Sequence, residues 1–135
     1  MIRTVLDTNV LISALILKGP TNQIADLWKQ KKFVWLISKN IAQEYLRVLA
    51  YPKFKLSVNE IKTLAEQEIF PFTMAVDILK EPKKIVLKDP SNDHFLACAF
   101  EGKADYLVSS DEHLISIKVY GKTKIISVSD FLTFF

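Results

Sequence analysis

Cysteine is almost missing from this chain. Cys98 is its one example in 135 residues, so neither an intrachain disulfide framework nor a cysteine-based zinc site can form. Two histidines, His94 and His113, do not supply a spaced ligand pair either. Three glycines and five prolines leave little material for linkers or low-complexity tracts, and no internal repeat is visible. No apolar run is long enough to span a bilayer; the longest early one, residues 10–17, falls well short of about twenty residues. Asp7 and Asn9 interrupt the stretch where a signal peptide needs unbroken apolar residues. A reducing cytoplasm, with no membrane partner, is the expected setting.

Half of the residues are apolar, enough for one proper core, and the length is that of one domain, here taken as residues 1–135. The formal charge is only +3, from 18 basic and 15 acidic residues. Its distribution matters more. If Asp7, Glu44, Asp93 and Asp111 gather in one pocket, the 18 basic residues face only the eleven acids that remain of 15. Lysines fall in groups at 29, 31 and 32, at 53 and 55, at 80, 83, 84 and 88, and at 118, 122 and 124. Each group alone reads as an ordinary solvated face. Together, a negative hole in a positive surface suits a metal-dependent enzyme with a polyanionic substrate.

The chain alternates strand-like and helix-like segments. Residues 2–6 are an apolar, β-branched run that breaks on Asp7 and passes directly into a helical pattern over 10–17, which Lys18-Gly19-Pro20 stops. Thr21 or Asn22 is placed to cap a helix to about 31 with Ile24, Leu27 and Trp28 inward. Residues 33–37 read as a second buried strand. Ser38 opens a helix over 39–50 whose Ile41, Ala42, Tyr45, Leu46 and Leu49 keep core spacing. Pro52 ends it. Ser57-Val58-Asn59-Glu60 is a capping-box pattern for a helix to about 70, closed by Pro71. Further strands are expected at 72–76, 85–87, 106–110 and 124–126. Turn-forming Asp89-Pro90-Ser91-Asn92 leads into a helix over 93–101 closed by Gly102, with Phe95, Leu96, Ala99 and Phe100 inward. A short helix follows Asp111, and Ser129 is placed to cap a last one that packs Phe131, Leu132 and Phe135. Strands alternating with helices predict an α/β fold with a mostly parallel sheet covered on both faces.

Two strands share one design, since 5–7 and 107–111 each run apolar and end on Asp. Ligands of open α/β sheets bind outside the carboxyl ends of the strands, although Asp7 at a helix start also suits an N-cap. If the two strands are parallel neighbours, Asp7 and Asp111 lie on one edge, and Asp93 starts a helix aimed at that edge. Glu44 sits between core positions, so it is either paired locally with Arg47 or pointed into a shared site. Several carboxylates brought together repel, and a divalent cation relieves them. Oxygen-only ligands without Cys or spaced His suit Mg²⁺ or Mn²⁺.

These residues resemble a known family. Asp7 in Val5-Leu6-Asp7-Thr8-Asn9-Val10, Glu44 in Ile41-Ala42-Gln43-Glu44-Tyr45, Asp93 in the run from Asp89 to Ala97, and Asp111 in Leu107-Val108-Ser109-Ser110-Asp111 look like the four acidic motifs of PIN domains, in order and spacing from Val5 to about Leu114. The chain is most similar to single-domain members grouped as toxins of toxin–antitoxin pairs, the virulence-associated protein C type. The resemblance implies a three-layer α/β/α sandwich and a Mg²⁺- or Mn²⁺-dependent ribonuclease acting on RNA, with an antitoxin protein as partner. It implies Asp7, Asp93 and Asp111 as metal-binding and catalytic, Glu44 as completing the catalytic set, and Asn9 and Ser109 as supporting polar residues. Asn92 departs from the pattern, since relatives of this type often carry another acid there.

Other residues read more simply. His94 points about 100° from Asp93 on a helix and is expected at the surface, and His113 is expected in solvent. Cys98 and both tryptophans fit the core. Asp89 and Asp105 fit turns. The Ile41/Tyr45/Leu49 face and the loop to Phe54 are a candidate for pairing with a second copy. Three rival functions stay in view. One is a catalytically silent nucleic-acid-binding PIN-like module, against which the four intact acids argue. Another is an aspartyl-phosphate phosphohydrolase, which needs a second Asp where Asn9 stands. The third is a response-regulator-like switch, which needs an early acidic pair that is absent.

Overall fold

A computed structural model describes residues 1–78 and 93–135. Its centre is a six-stranded sheet built from β1 (Arg3–Leu6), β2 (Val34–Ile37), β3 (Thr73–Ala75), β4 (Tyr106–Val108), β5 (Val119–Tyr120) and β6 (Thr123–Ile126). The strand order is β3-β2-β1-β4-β6-β5. All pairings are parallel except β5 with β6. Helices α1 (Thr8–Leu15), α2 (Asn22–Lys29), α3 (Lys39–Leu49), α4 (Val58–Thr63), α5 (Asp93–Glu101), α6 (Glu112–Ile117) and α7 (Val128–Leu132) flank it. This is the expected α/β class. From β1 the chain steps outward to β2 and β3, then returns to lay β4 on the other side of β1. The strand order therefore reverses between β1 and β4, the position where open sheets form a crevice.

The core explains why these segments hold. Val5 and Leu6 of β1, Leu36 of β2, and Leu107 and Val108 of β4 are fully buried, as strands covered on both faces require. Trp28 of α2 lies against Trp35 of β2, with ring centroids 4.3 Å apart. Ile41, Tyr45 and Leu49, one stripe of α3, are wholly buried within the chain itself. That stripe belongs to the core, so any pairing with a second copy would have to use another surface. The Tyr45 hydroxyl donates to the Leu6 carbonyl at 2.6 Å, which fixes the end of β1 immediately before Asp7.

Several boundaries differ from the sequence expectation for local reasons. Helix α1 begins two residues early because Asp7 caps it. Asn22 opens α2, but its side chain serves α1 instead. Its amide donates to the Ala14 and Leu17 carbonyls, both at 2.8 Å, so it satisfies acceptors that a helix end leaves orphaned. The Ser57–Glu60 capping box forms as expected, but its helix passes into a π turn at Leu64–Ile69 and a 3₁₀ turn at Phe70–Phe72. Ser127, not Ser129, caps α7. Phe100 is 60% exposed, and Cys98 takes the inward position on α5. Strand β5 has two residues, too few to leave a pattern. The strand expected at 85–87 and the turn at 89–92 lie outside the described residues.

Gly102 does follow α5, but the left-handed residue there is Lys103, with φ 52°. Glycine is required at 102 by close approach. A Cβ would stand 2.9 Å from both the Cys98 carbonyl oxygen and Leu36 Cδ1. Backbone and a buried strand side chain yield little. Gly102→Ala is therefore expected to destabilise the fold by about 1–3 kcal/mol, the usual cost of overpacking. Urea denaturation measures this, and an unchanged midpoint would remove the tight-packing account.

Candidate active site

Register brings the two predicted acidic ends together. Leu6 of β1 lies opposite Val108 of β4, so Asp7 and Ser109 leave the sheet side by side. The Asp7 N–H continues the ladder to the Val108 carbonyl at 3.1 Å. One carboxyl oxygen of Asp7, Oδ1, accepts from the Val10 N–H at 2.9 Å and caps α1. The other, Oδ2, accepts from the Ser109 hydroxyl. That hydroxyl in turn accepts from the Asp111 N–H at 2.9 Å, and Asp111 Oδ1 caps α6 by accepting from the His113 N–H at 2.7 Å. Ser109 is thus the joint between the first strand's acid and the fourth strand's acid. It is fully buried.

Asp7 is 4% exposed. Burial pushes its carboxyl above the usual carboxylate range. The Ser109 hydroxyl and the Val10 and Ser110 backbones pull the other way, and the negative charge of Asp111 adds to the rise. A carboxylate that is buried, unpaired with any cation among the described residues and repelled by a second acid is held at a cost.

Glu44 on α3 reaches the same cleft. Both its oxygens are engaged. The Thr8 hydroxyl donates to Oε2, while His94 Nε2 lies 3.1 Å from Oε1 and Arg47 Nη2 3.6 Å from it. Burial opposes ionisation of Glu44, but His94, Thr8 and Arg47 outweigh it and hold the carboxyl below its ordinary value. Glu44 thus lies against Arg47 and also lines one cleft with Asp7 and Asp111.

The cleft has a volume of about 430 Å³. Asp7, Asn9, Glu44 and Asp111 line it, together with Thr8, Arg47, Val48, Tyr51, Lys53, Phe54 and Phe95. Asp93 is buried at the start of α5 and is not among the lining side chains, although its neighbours reach the site through His94 and Phe95. Among the described residues no three of His, Cys, Asp and Glu are arranged to hold a metal ion. The donor chemistry nonetheless fits a hard cation. Mg²⁺ is usually held by one or two carboxylates and keeps several waters, and Asp7 with Asp111 supplies such a pair.

His94 corrects the sequence expectation. It is not a surface residue, being 18% exposed and set against Glu44. The 100° rotation from Asp93 was sound, but α3 packs against α5 on that side, which no local pattern reveals. Thr8 was also missed. Arg47, Tyr51, Lys53 and Phe54 had a signal in their basic and aromatic alternation just after the Glu44 helix. Other expectations hold: His113 is exposed, Asp105 accepts from the Arg3 N–H at 2.8 Å as a turn residue, and both tryptophans are core. Burial pushes the Cys98 thiol up to about 12 against a lowering contact from Ser38, as befits an inert core cysteine.

Comparison with known proteins agrees with this geometry. The sequence profile of the PIN domain matches residues 3–113. An uncharacterised protein of Methanocaldococcus jannaschii is 32% identical over 121 residues, covering 87% of this chain and 76% of its own length. The chain belongs to the PIN-domain family, a nuclease-type family whose members generally use divalent metals. Among the described residues no helix is long and apolar enough to cross a membrane.

The raised Asp7 pKa has a definite consequence for stability. The folded state holds its proton to higher pH than the unfolded state does. The Asp7 contribution to metal-free stability is therefore fully present below the ordinary value of 3.8 and is lost as pH rises through the folded value. Asp7→Asn cannot ionise, so in EDTA it should unfold at higher urea than wild type near neutral pH, with the difference vanishing as the pH is lowered to the ordinary carboxylate range. Parallel pH profiles for the two proteins would contradict this.

Proposed function

We infer that this chain is a metal-dependent endoribonuclease that hydrolyses phosphodiester bonds of RNA, and that it serves as the toxin of a toxin–antitoxin pair. The observation that carries the nuclease reading is the Asp7–Ser109–Asp111 junction at the sheet's switch point, in a cleft that Arg47 and Lys53 also line. A cleft that offers cations beside its acids matches a substrate that is itself a polyanion. Arg47 and Lys53 bind phosphates. Ser109 orients the Asp7 carboxylate by donating to Oδ2, and the Val10 N–H holds Oδ1. Thr8 and His94 fix Glu44 at the rim of the same cleft. Asp7 and Asp111, with Asp93 at the start of α5, would hold a divalent ion, which would supply Lewis-acid polarisation of the phosphate and a lowered pKa for the attacking water. Asn9 supports the site from the first turn of α1.

The toxin role rests on the family type, and its partners are an antitoxin protein and a second copy of the chain. The domain is taken as single over residues 1–135. One observation favours the silent-binder alternative. Asp93 is not among the residues lining the cleft, and no three-ligand cage exists among the described residues.

Cleavage of end-labelled RNA separates the two. Wild type should cut with Mn²⁺ or Mg²⁺ and not in EDTA. Asp7→Asn and Asp93→Asn should each lose about a hundredfold or more in rate, as removal of a few kcal/mol of transition-state stabilisation implies. Equal rates in wild type and variants would mean a contaminant and would leave the binding module as the better reading.

A further inference from the structure

Part of the cleft that holds Asp7 and Asp111 is lined by a short, hydrogen-bonded piece of chain. Helix α3 ends at Leu49, and a 3₁₀ turn follows at Pro52–Phe54. The turn is closed by backbone hydrogen bonds from Tyr51 to Val48, from Phe54 to Tyr51 and from Lys55 to Pro52, at 3.0, 3.0 and 3.1 Å. Pro52 occupies its first position, and Lys55 ends it in the left-handed region at φ 53°. Side chains on such a turn are presented at set positions, so little ordering cost remains when a ligand arrives.

That turn carries an unusual set of groups for a solvent-facing rim. Tyr51 is 43% exposed and stacks on no other ring among the described residues. Lys53 Nζ lies 5.1 Å above the Phe54 ring centroid and makes no carboxylate contact among the described residues. Arg47, one turn back on α3, has a side chain 67% exposed and only a long 3.6 Å contact to Glu44. All four line the cleft that also holds Asp7 and Asp111. A single exposed tyrosine is commonplace. An exposed aromatic ring close in sequence to two exposed cations, on a hydrogen-bonded turn in the same cleft as Asp7 and Asp111, is the composition of a single-strand stacking platform.

We propose that the Tyr51–Phe54 turn is a nucleotide subsite in which Tyr51 stacks on one unpaired base while Arg47 and Lys53 hold the phosphates on either side of it. This rests on the nuclease reading for its orientation, since the acids then define where the scissile bond lies. The consequence is a specificity. A base within a duplex is covered above and below by its neighbours and offers only its edges, whereas an unpaired one offers its face. Strands are thus selected by having an unpaired base beside the bond to be cut, with little demand on which base it is.

The test is equilibrium binding of a labelled single-stranded RNA of about twelve nucleotides to the Asp7→Asn protein in EDTA, followed by fluorescence anisotropy. Tyr51→Ala and Tyr51→Phe are introduced on that background, and each protein is also titrated with an abasic strand of the same length. Tyr51→Ala should weaken binding about tenfold while Tyr51→Phe stays close to the parent. Removing the bases should weaken binding to the parent and scarcely affect Tyr51→Ala. Lys53→Gln should lower the slope of log affinity against log salt by about 1. Equal binding by the parent and by Tyr51→Ala, equal losses with the abasic strand, or no measurable binding by the parent would each overturn the subsite. Its failure is separable from that of the nuclease reading. Metal-dependent cleavage with Tyr51-independent binding sinks the subsite alone, and Tyr51-dependent binding without cleavage supports the subsite and removes the nuclease.

Discussion

Burial of the Asp7 carboxylate at the point where the sheet reverses its strand order is the constraint from which the rest of the site follows. A carboxylate left there without partners would cost several kcal/mol, and the surrounding chain is arranged to reduce that cost without removing it. The Val10 N–H is aimed at one oxygen because α1 starts at once. The Ser109 hydroxyl is aimed at the other because Leu6 and Val108 are in register. Tyr45 ties down the preceding carbonyl of Leu6 from α3. Three elements therefore converge on one acid, and none of them brings a positive charge to it.

That missing charge is what gives the cleft its chemical character. The protein supplies Glu44 with partners in His94, Thr8 and Arg47, and its carboxyl is held down. Asp7 has no cation beside it among the described residues, and its carboxyl is held up. Two acids of one cleft are thus in opposite states of compensation. The first is a finished structural hub that ties α1, α3 and α5 together. The second remains electrostatically incomplete, which is the condition in which a bound cation contributes most.

Much of this was legible in the sequence, because it depends on period and chain order. The runs 5–7 and 107–111 declare strands that end on acids, and an alternating α/β pattern makes neighbours of them at a switch point. Ser38 and the Ser57–Glu60 box announced their helices correctly, since capping is a local exchange of hydrogen bonds. What stayed hidden depends on packing between distant elements. His94 was assigned to solvent because its own helix could not report that α3 packs beside it. Asn22 looked like a cap for the helix it begins, whereas the open carbonyls it satisfies belong to the helix before. Gly102 looked like a left-handed terminator, but its reason is the nearness of Leu36, a residue far away in the chain. The four acids stand out as a set; Asp7, Glu44 and Asp111 line one cleft, and Asp93 is buried at the start of α5.

The proposed function requires a divalent cation at the Asp7–Ser109–Asp111 junction. Titration of Mn²⁺ into the metal-free protein, read by the loss of the free-ion electron paramagnetic resonance signal, tests it with no assumption about substrate. Wild type should take up Mn²⁺ saturably and be stabilised against heat by it, and both effects should disappear in Asp7→Asn and in Asp111→Asn while circular dichroism stays unchanged. Uptake of equal strength in the variants, or none in the folded wild type, would contradict the account.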